Sequence, residues 1–199
     1  MNIIWHGHSC FEITGKDGTI VFDPYQANSV PGLNSLKLKA NLVLCSHEHD
    51  DHNAKNCVEI TPKDFKVACI ETYHDHHQGS HRGKNTIHIV DFEDLKVVHM
   101  GDIGCMMDDV SKLKNCDVLM IPIGGYYTID TKEALKYIER IQPRIVIPMH
   151  YRSHEFGYDV LSTNEEFIQQ SSSVTYVDDC LEVNKDTKTQ TVVFKKPRN

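Results

Sequence analysis

The sequence predicts an α/β protein, or α+β in schemes that separate the two, and three observations carry that class. Short apolar runs bounded by turn residues recur at 42–45, 66–72, 95–100, 118–121 and 144–147, with lengths that suit strands. One segment, 131–141, instead spaces Ala134, Leu135, Ile138 and Ile141 as the buried stripe of a helix. Four of the apolar runs end in a histidine or an aspartate, and strands covered by helices place their ends along one edge of a sheet. The 199 residues fit one domain, 1–199, with a layered core.

In order, Ile3-Ile4-Trp5 and Cys10-Phe11-Glu12-Ile13 read as short strands. The Lys16-Asp17-Gly18 turn hands over to Thr19-Ile20-Val21-Phe22, which gives an antiparallel meander. Asp23-Pro24 ends it, because proline has no N–H for a ladder and pushes the residue before it out of helical geometry. Residues 25–40 read as a loop covering a site, and 42–45 as a buried strand. Asn53-Ala54-Lys55-Asn56 reads as the start of a short helix whose N-terminal dipole faces the histidines before it.

Strands are expected at 66–72, 85–91, 95–100 and 118–121, the last stopped by Pro122 and Gly124-Gly125. Helix 131–141 takes Asp130 or Thr131 as its N-cap, with Glu133 in the first turn. A strand at 144–147, a helix at 164–170 and closing strands near 180–183 and 191–194 complete the chain.

Composition narrows the function. Hydrophobic residues at 40% and charged residues at 25% are ordinary for a globular protein, and no stretch has the apolar length of a membrane span. The N-terminus lacks the basic start and apolar core of a secretory signal, so the cytoplasm is expected. Seven scattered cysteines with no CxxC pair suit a reducing compartment. The net charge of −7 argues against a nucleic-acid partner, and the tail Lys195-Lys196-Pro197-Arg198 is too short to reverse it. The expected partner is a small molecule, with no membrane, and a homo-oligomer is compatible with the sequence. Thirteen histidines are the anomaly, concentrated near 47–52 and 73–82.

The stretch Ser46-His47-Glu48-His49-Asp50-Asp51-His52 carries the chemistry. Four ligand-type side chains within six positions are costly to gather without a cation among them, because protonated imidazoles repel and unpaired neutral ones waste burial. The competing reading is a polar surface turn, and the ligand-type residues His74, Asp102 and His150 at other strand ends argue against it. Imidazole and carboxylate donors suit zinc, manganese or iron, and one carboxylate can bridge two ions.

At this point the sequence resembles the metallo-β-lactamase superfamily, through His47-x-His49-x-Asp51-His52, His74, Met100-Gly101-Asp102 and His150. More narrowly it is similar to the UPF0173-like metal-dependent hydrolases allied to the ascorbate-6-phosphate lactonases. Supporting stretches are Trp5-His6-Gly7-His8-Ser9-Cys10-Phe11, Asp23-Pro24, His74-Asp75, Arg82-Gly83-Lys84-Asn85-Thr86, Pro122-Ile123-Gly124-Gly125-Tyr126-Tyr127 and Ile147-Pro148-Met149-His150-Tyr151.

The resemblance implies a four-layer αβ/βα sandwich with metals in a groove at one edge. It also implies two divalent ions, zinc first with manganese or iron as alternatives. One ion would take His47, His49 and His74, the other Asp51, His52 and His150, with Asp102 bridging. His76 is the rival to His74 as third ligand; His76 and His77 otherwise read as rim residues.

Two such ions, typically about 3.5–4 Å apart, generate a metal-bound hydroxide and polarise a carbonyl or phosphoryl oxygen. The expected reaction is hydrolysis of a small ester-like bond, a lactone or a phosphoester, with Asp51 and Asp102 as the catalytic carboxylates. Alternatives are a phosphodiesterase or nuclease of the same fold, or a non-catalytic metal-binding protein. Around the groove, Arg82 reads as an anion binder or as the partner of a local acid. Either Tyr126 or Tyr127 could stabilise an oxyanion, and His8 faces the metals or serves structure. Asp23 reads as a carboxylate supporting a ligand or capping a turn, and Cys105 as an inert thiol.

Overall fold

A computed structural model describes residues 1–198. The chain runs through β1 (Asn2–Gly7), β2 (Cys10–Gly15), β3 (Gly18–Phe22), β4 (Leu38–Ala40), β5 (Leu42–Leu44), β6 (Val58–Ile60), β7 (Lys66–Tyr73), β8 (Lys84–Phe92), β9 (Leu95–His99) and β10 (Val118–Pro122). Helix α1 (Thr131–Ile141) then leads to β11 (Ile145–Met149), and helix α2 (Glu165–Gln170) to β12 (Val174–Val177), β13 (Cys180–Glu182) and β14 (Gln190–Phe194).

These strands form a five-stranded sheet, β13-β1-β2-β3-β5, and a seven-stranded sheet, β12-β14-β11-β10-β9-β8-β7. β4 and β6 make a separate parallel pair. The N-terminal meander is antiparallel, as its alternation and turns predict. Alternation also sorts its side chains: Phe11, Ile13, Ile20 and Phe22 enter the main core, while Cys10 and Val21 face a smaller cluster with Tyr25, Val30, Ala40 and Val58. The layer over that outer face is therefore loop 25–37 with the β4–β6 pair, and no α-helix among the described residues lies in this stretch.

β10 and β11 are buried on both faces, which takes a layer on either side. The five-stranded sheet supplies one layer and α1 the other, so the class is the layered αβ sandwich expected. Helix α1 starts at Asp130, whose carboxylate accepts from Glu133 N while Glu133 reaches back to the Asp130 N–H, a full capping box. It buries Ala134, Tyr137 and Ile141, whereas Leu135 and Ile138 are only half-buried. Tyr137 was absent from the sequence-derived stripe, yet its hydroxyl donates to Cys105 O at 2.8 Å and accepts from Met107 N at 2.7 Å.

Three expectations need correction. The strand before the histidine loop is half-exposed, because β5 pairs with β3 alone at the sheet edge. The helix expected after His52 is a single 3-10 turn, Lys55–Cys57, stopped by the extended Val58, and it is too short to supply a helix dipole. β4, β6 and β12 were not anticipated; they are short, and β12 is a half-exposed edge strand without a clear alternation of buried and exposed residues.

Candidate metal centre

Strand direction gathers the predicted residues. β9, β10 and β11 are mutually parallel, and β7 runs the same way through two antiparallel pairings, so all four end at one edge of their sheet. His74 follows β7, Asp102 follows β9 and His150 follows β11. From the other sheet, β5 delivers the loop 46–52, and the β1–β2 turn delivers His8. His8, Asp23 and His150 hold left-handed backbones at φ 52°, 43° and 53°. For residues other than glycine such strain costs of order 1–3 kcal/mol each and clusters at functional sites.

Asp102 lies at the centre. Its Oδ2 is 3.0 Å from His150 Nε2, 3.1 Å from His52 Nε2, 3.4 Å from His74 Nε2 and 4.0 Å from His47 Nε2. Asp51 Oδ2 is 3.3 Å from His8 Nε2 and 3.7 Å from His52 Nε2. Three sets have ligand atoms within 4.8 Å of one another and could hold a metal ion: His47, His49 and His74; His8, Asp51, His52 and His150; and His47, His52 and Asp102. The nitrogens His47 Nε2 and His52 Nε2 and the oxygen Asp102 Oδ1 are buried without a hydrogen-bond partner, so the residues present fit a cation.

Hydrogen bonds behind the cluster fix which nitrogen faces inward. Asp23 accepts from Ser46 N at 2.6 Å, from Ser46 Oγ at 2.7 Å and from His52 Nδ1 at 2.8 Å. Because the single Ser46 hydroxyl proton goes to Asp23, His47 Nδ1 must donate to Ser46 Oγ, 2.9 Å away. Both histidines thereby spend Nδ1–H outward and turn Nε2 to the centre, the arrangement that raises ligand basicity. Asn85 Oδ1 accepts from Asp102 N at 2.8 Å, and Asn85 Nδ2 donates to Met100 O at 2.9 Å. His99 Nε2 donates to Ser9 O at 2.9 Å, leaving Nδ1 to accept from Gly101 N at 3.2 Å.

Burial and neighbours divide the charges. Burial, together with the nearby His52, pushes the His47 imidazole down to about 3, and burial with His150 beside it brings His8 to about 4. Burial lowers His74 likewise. His52 goes the other way: burial disfavours its cation, but Asp102 and Asp23 hold it well above the usual histidine range. For Asp102 burial opposes ionisation, and His150 and His52 overrule it; His52 does the same for Asp23 and Asp51. The result is three anionic carboxylates beside one imidazolium, His52, with His8, His47 and His74 held neutral, a charge distribution that added cations would balance.

A cavity of about 240 Å³ opens on this cluster, lined by His49, Asp51, His74, Asp102 and His150 and by Arg82, Tyr127 and Tyr158. A hollow of about 390 Å³ at Ile70, Tyr73, Met106 and Met107 contains none of these residues. Tyr126 is 64% exposed and outside the cavity lining, so of the two tyrosines Tyr127 alone lines it. His76 is exposed beside Glu133 at 3.7 Å, and the exposed His77 and His81 rings lie tilted with centroids 4.3 Å apart. Cys105 is a half-buried thiol raised by burial.

Sequence reasoning missed Tyr158, whose hydroxyl is 2.7 Å from Ser29 O and 3.2 Å from Asp51 Oδ2. It also missed Ser46 and Asn85 as supports. Nothing in their local sequence signals these roles, which arise from residues far along the chain.

The fold and its histidine–aspartate edge define a protein of the metallo-β-lactamase type. A family model described as "Beta-lactamase superfamily domain" matches residues 2–150, and the chain belongs to that superfamily, alongside the UPF0173 metal-dependent hydrolases. A UPF0173 metal-dependent hydrolase of Staphylothermus marinus is 31% identical over 85% of this chain and 90% of its own. One of Thermoplasma acidophilum is 29% identical over 78% of this chain and 85% of its own. Among solved structures, a Thermotoga maritima protein provisionally described as a Zn-dependent hydrolase of the metallo-β-lactamase superfamily superposes with a TM-score of 0.76. It is 27% identical, with 97% of each chain covered.

Proposed function

We propose that this protein is a hydrolase that holds two divalent cations and cleaves a small ester-like bond, a lactone or a phosphoester. The observation that carries the reading is the position of Asp102 Oδ2 within 3.4 Å of His52, His74 and His150 Nε2. One cation would be held by His47, His49 and His74, the other by Asp51, His52 and His150, with Asp102 between them. His8 belongs geometrically with the second set and is a further donor there. The imidazole-rich donors favour zinc, with manganese or iron as alternatives.

Bound there, divalent cations act as Lewis acids toward a carbonyl or phosphoryl oxygen and acidify water. The chain's own residues orient and shield. Asp23 and Ser46 fix His47 and His52, Asn85 fixes the backbone of Asp102, and Tyr158 steadies Asp51. Asp51 lines the cavity and offers a carboxylate oxygen to accept a proton from a reacting group. Tyr127 lines the same cavity, with its phenol available to an oxyanion.

The cavity of about 240 Å³ supports a small substrate over a nucleic acid, as does the net charge of −7. No helix among the described residues is long and apolar enough to cross a membrane. All seven cysteines are free, which supports the cytoplasm.

The test is to quantify metals in purified protein and assay lactone, phosphodiester and thioester panels beside Asp51→Asn. Metal-dependent turnover lost in Asp51→Asn supports the reading. About two metals per chain with no turnover on any panel favours a non-catalytic metal-binding protein.

A further inference from the structure

Arg82 lines the same cavity as the candidate ligands, and it arrives there on a tightly built loop. The loop leaves β7 at His74 and returns to β8 at Lys84. His74 N donates to Gly83 O at 3.1 Å and Gly83 N to Gly79 O at 2.9 Å, closing it on itself. At its centre Asp75 is buried, and its two oxygens accept four backbone N–H groups. Oδ1 takes His77 N at 2.7 Å and Gly79 N at 3.0 Å. Oδ2 takes His81 N at 3.0 Å and Arg82 N at 2.8 Å.

The ordinary fate of a loop arginine is to pair with a nearby acid. Here the local acid is already committed to the backbone, and among the described residues no carboxylate pairs with the guanidinium. It lies instead 5.3 Å from the centre of the Tyr127 ring and 5.9 Å from that of Tyr126. Cation–π contact with these rings holds the guanidinium at the cavity while no carboxylate takes its N–H donors, which suits a carboxylate or phosphate. A half-buried cation with no carboxylate in pairing distance, sharing a 240 Å³ cavity with the candidate ligands, is placed to take an anion that enters it.

We propose that Arg82, presented by the Asp75-anchored loop and held against Tyr127, is the substrate-anion site of this hydrolase. The substrates are small ester-like compounds that carry a carboxylate or phosphate group beside the bond cleaved. The inference rests on the hydrolase reading above and adds the substrate class to it. The Asp75 carboxylate is a positioning group, and Arg82 makes the contact.

The experiment compares wild type, Arg82→Gln and Arg82→Lys on matched substrates: a neutral ester or lactone, its carboxylate-bearing analogue and its phosphate-bearing analogue. Charge-assisted hydrogen bonds support a preference of roughly 10- to 100-fold in kcat/KM for an anionic analogue. That ratio collapses in Arg82→Gln, mainly through KM, and is partly restored in Arg82→Lys. The larger of the two anionic effects identifies carboxylate or phosphate as the natural group.

In parallel, calorimetry on metal-loaded protein measures acetate and inorganic phosphate binding, with metal content checked in each variant. The expected result is an affinity roughly 10-fold or more weaker in Arg82→Gln at unchanged metal content. An unchanged anionic-to-neutral ratio together with unchanged anion affinity overturns the proposal. If no substrate turns over in wild type, the hydrolase reading fails, and calorimetry alone then decides whether Arg82 binds anions.

Discussion

His52 Nδ1 donates to Asp23 Oδ2 at 2.8 Å, and the same carboxylate oxygen accepts the Ser46 hydroxyl that receives His47 Nδ1–H. One buried aspartate thus aligns two imidazoles that are candidates for different cations. Asp23→Asn keeps the volume but removes the anion and one acceptor. Metal affinity is expected to fall about 10- to 100-fold. A chelator-competition titration reads it, and an unaltered affinity would show that Asp23 serves the turn alone.

Two glycines carry their own prediction. A Cβ at Gly104 would run into the His74 carbonyl carbon, and one at Gly124 into His150 O. Both contacts are with backbone, which has no rotamer to yield. Gly104→Ala and Gly124→Ala should therefore each cost about 1–3 kcal/mol of stability. Each should also lower bound metal, although neither glycine offers a donor. Chemical denaturation with parallel metal analysis checks this; variants with wild-type stability and metal content would contradict the close approach.

Metal removal should destabilise the fold. Asp23, Asp51 and Asp102 are all held below the usual carboxylate range, and without cations their charge is balanced chiefly by His52. Ligand linkage gives about 2.7 kcal/mol at a free metal concentration 100 times Kd. Calorimetric unfolding with and without a chelator should show a lower Tm for the metal-free protein, restored by zinc. Identical transitions would indicate that no cation is bound in the native state.

Tyr158→Phe removes a hydroxyl near both Ser29 O and Asp51 Oδ2. The lost hydrogen bond is expected to cost about 0.5–1.5 kcal/mol in stability. Because Asp51 loses a restraint, kcat should fall more than KM rises. A kinetic comparison at equal metal content tests it, and a KM effect alone would place Tyr158 in substrate binding instead.

Much of the fold and the site was legible because the signals were local. The loop 46–52 carries four donors in contiguous sequence, and Asp130 or Thr131 as N-cap with Glu133 in the first turn marked the start of α1, where Asp130 is the cap. Asp102 and His150 stood out because each lies just past an apolar strand, Asp102 after Met100-Gly101 and His150 immediately after β11, and parallel β9 and β11 then bring them to one edge.

What stayed hidden depends on distant partners. Tyr158 lies in a stretch without periodicity and acquires meaning from Ser29 and Asp51. Ser46 reads as a loop residue until Asp23 is placed beneath it. Arg82 could not be assigned from sequence because its rival partner, Asp75, is removed by four backbone contacts that only the folded loop reveals. The exposure of β5 was misread for a related reason: an apolar edge strand and an apolar central strand look alike in one dimension.

The most direct test of the central claim is the metal stoichiometry of the wild-type chain and of Asp102→Asn, measured by elemental mass spectrometry after loading with zinc. About two ions per chain are expected for the wild type, and one or fewer for Asp102→Asn, whose neutral side chain no longer joins the two histidine sets. Two ions in both proteins, or none in the wild type, would contradict the account.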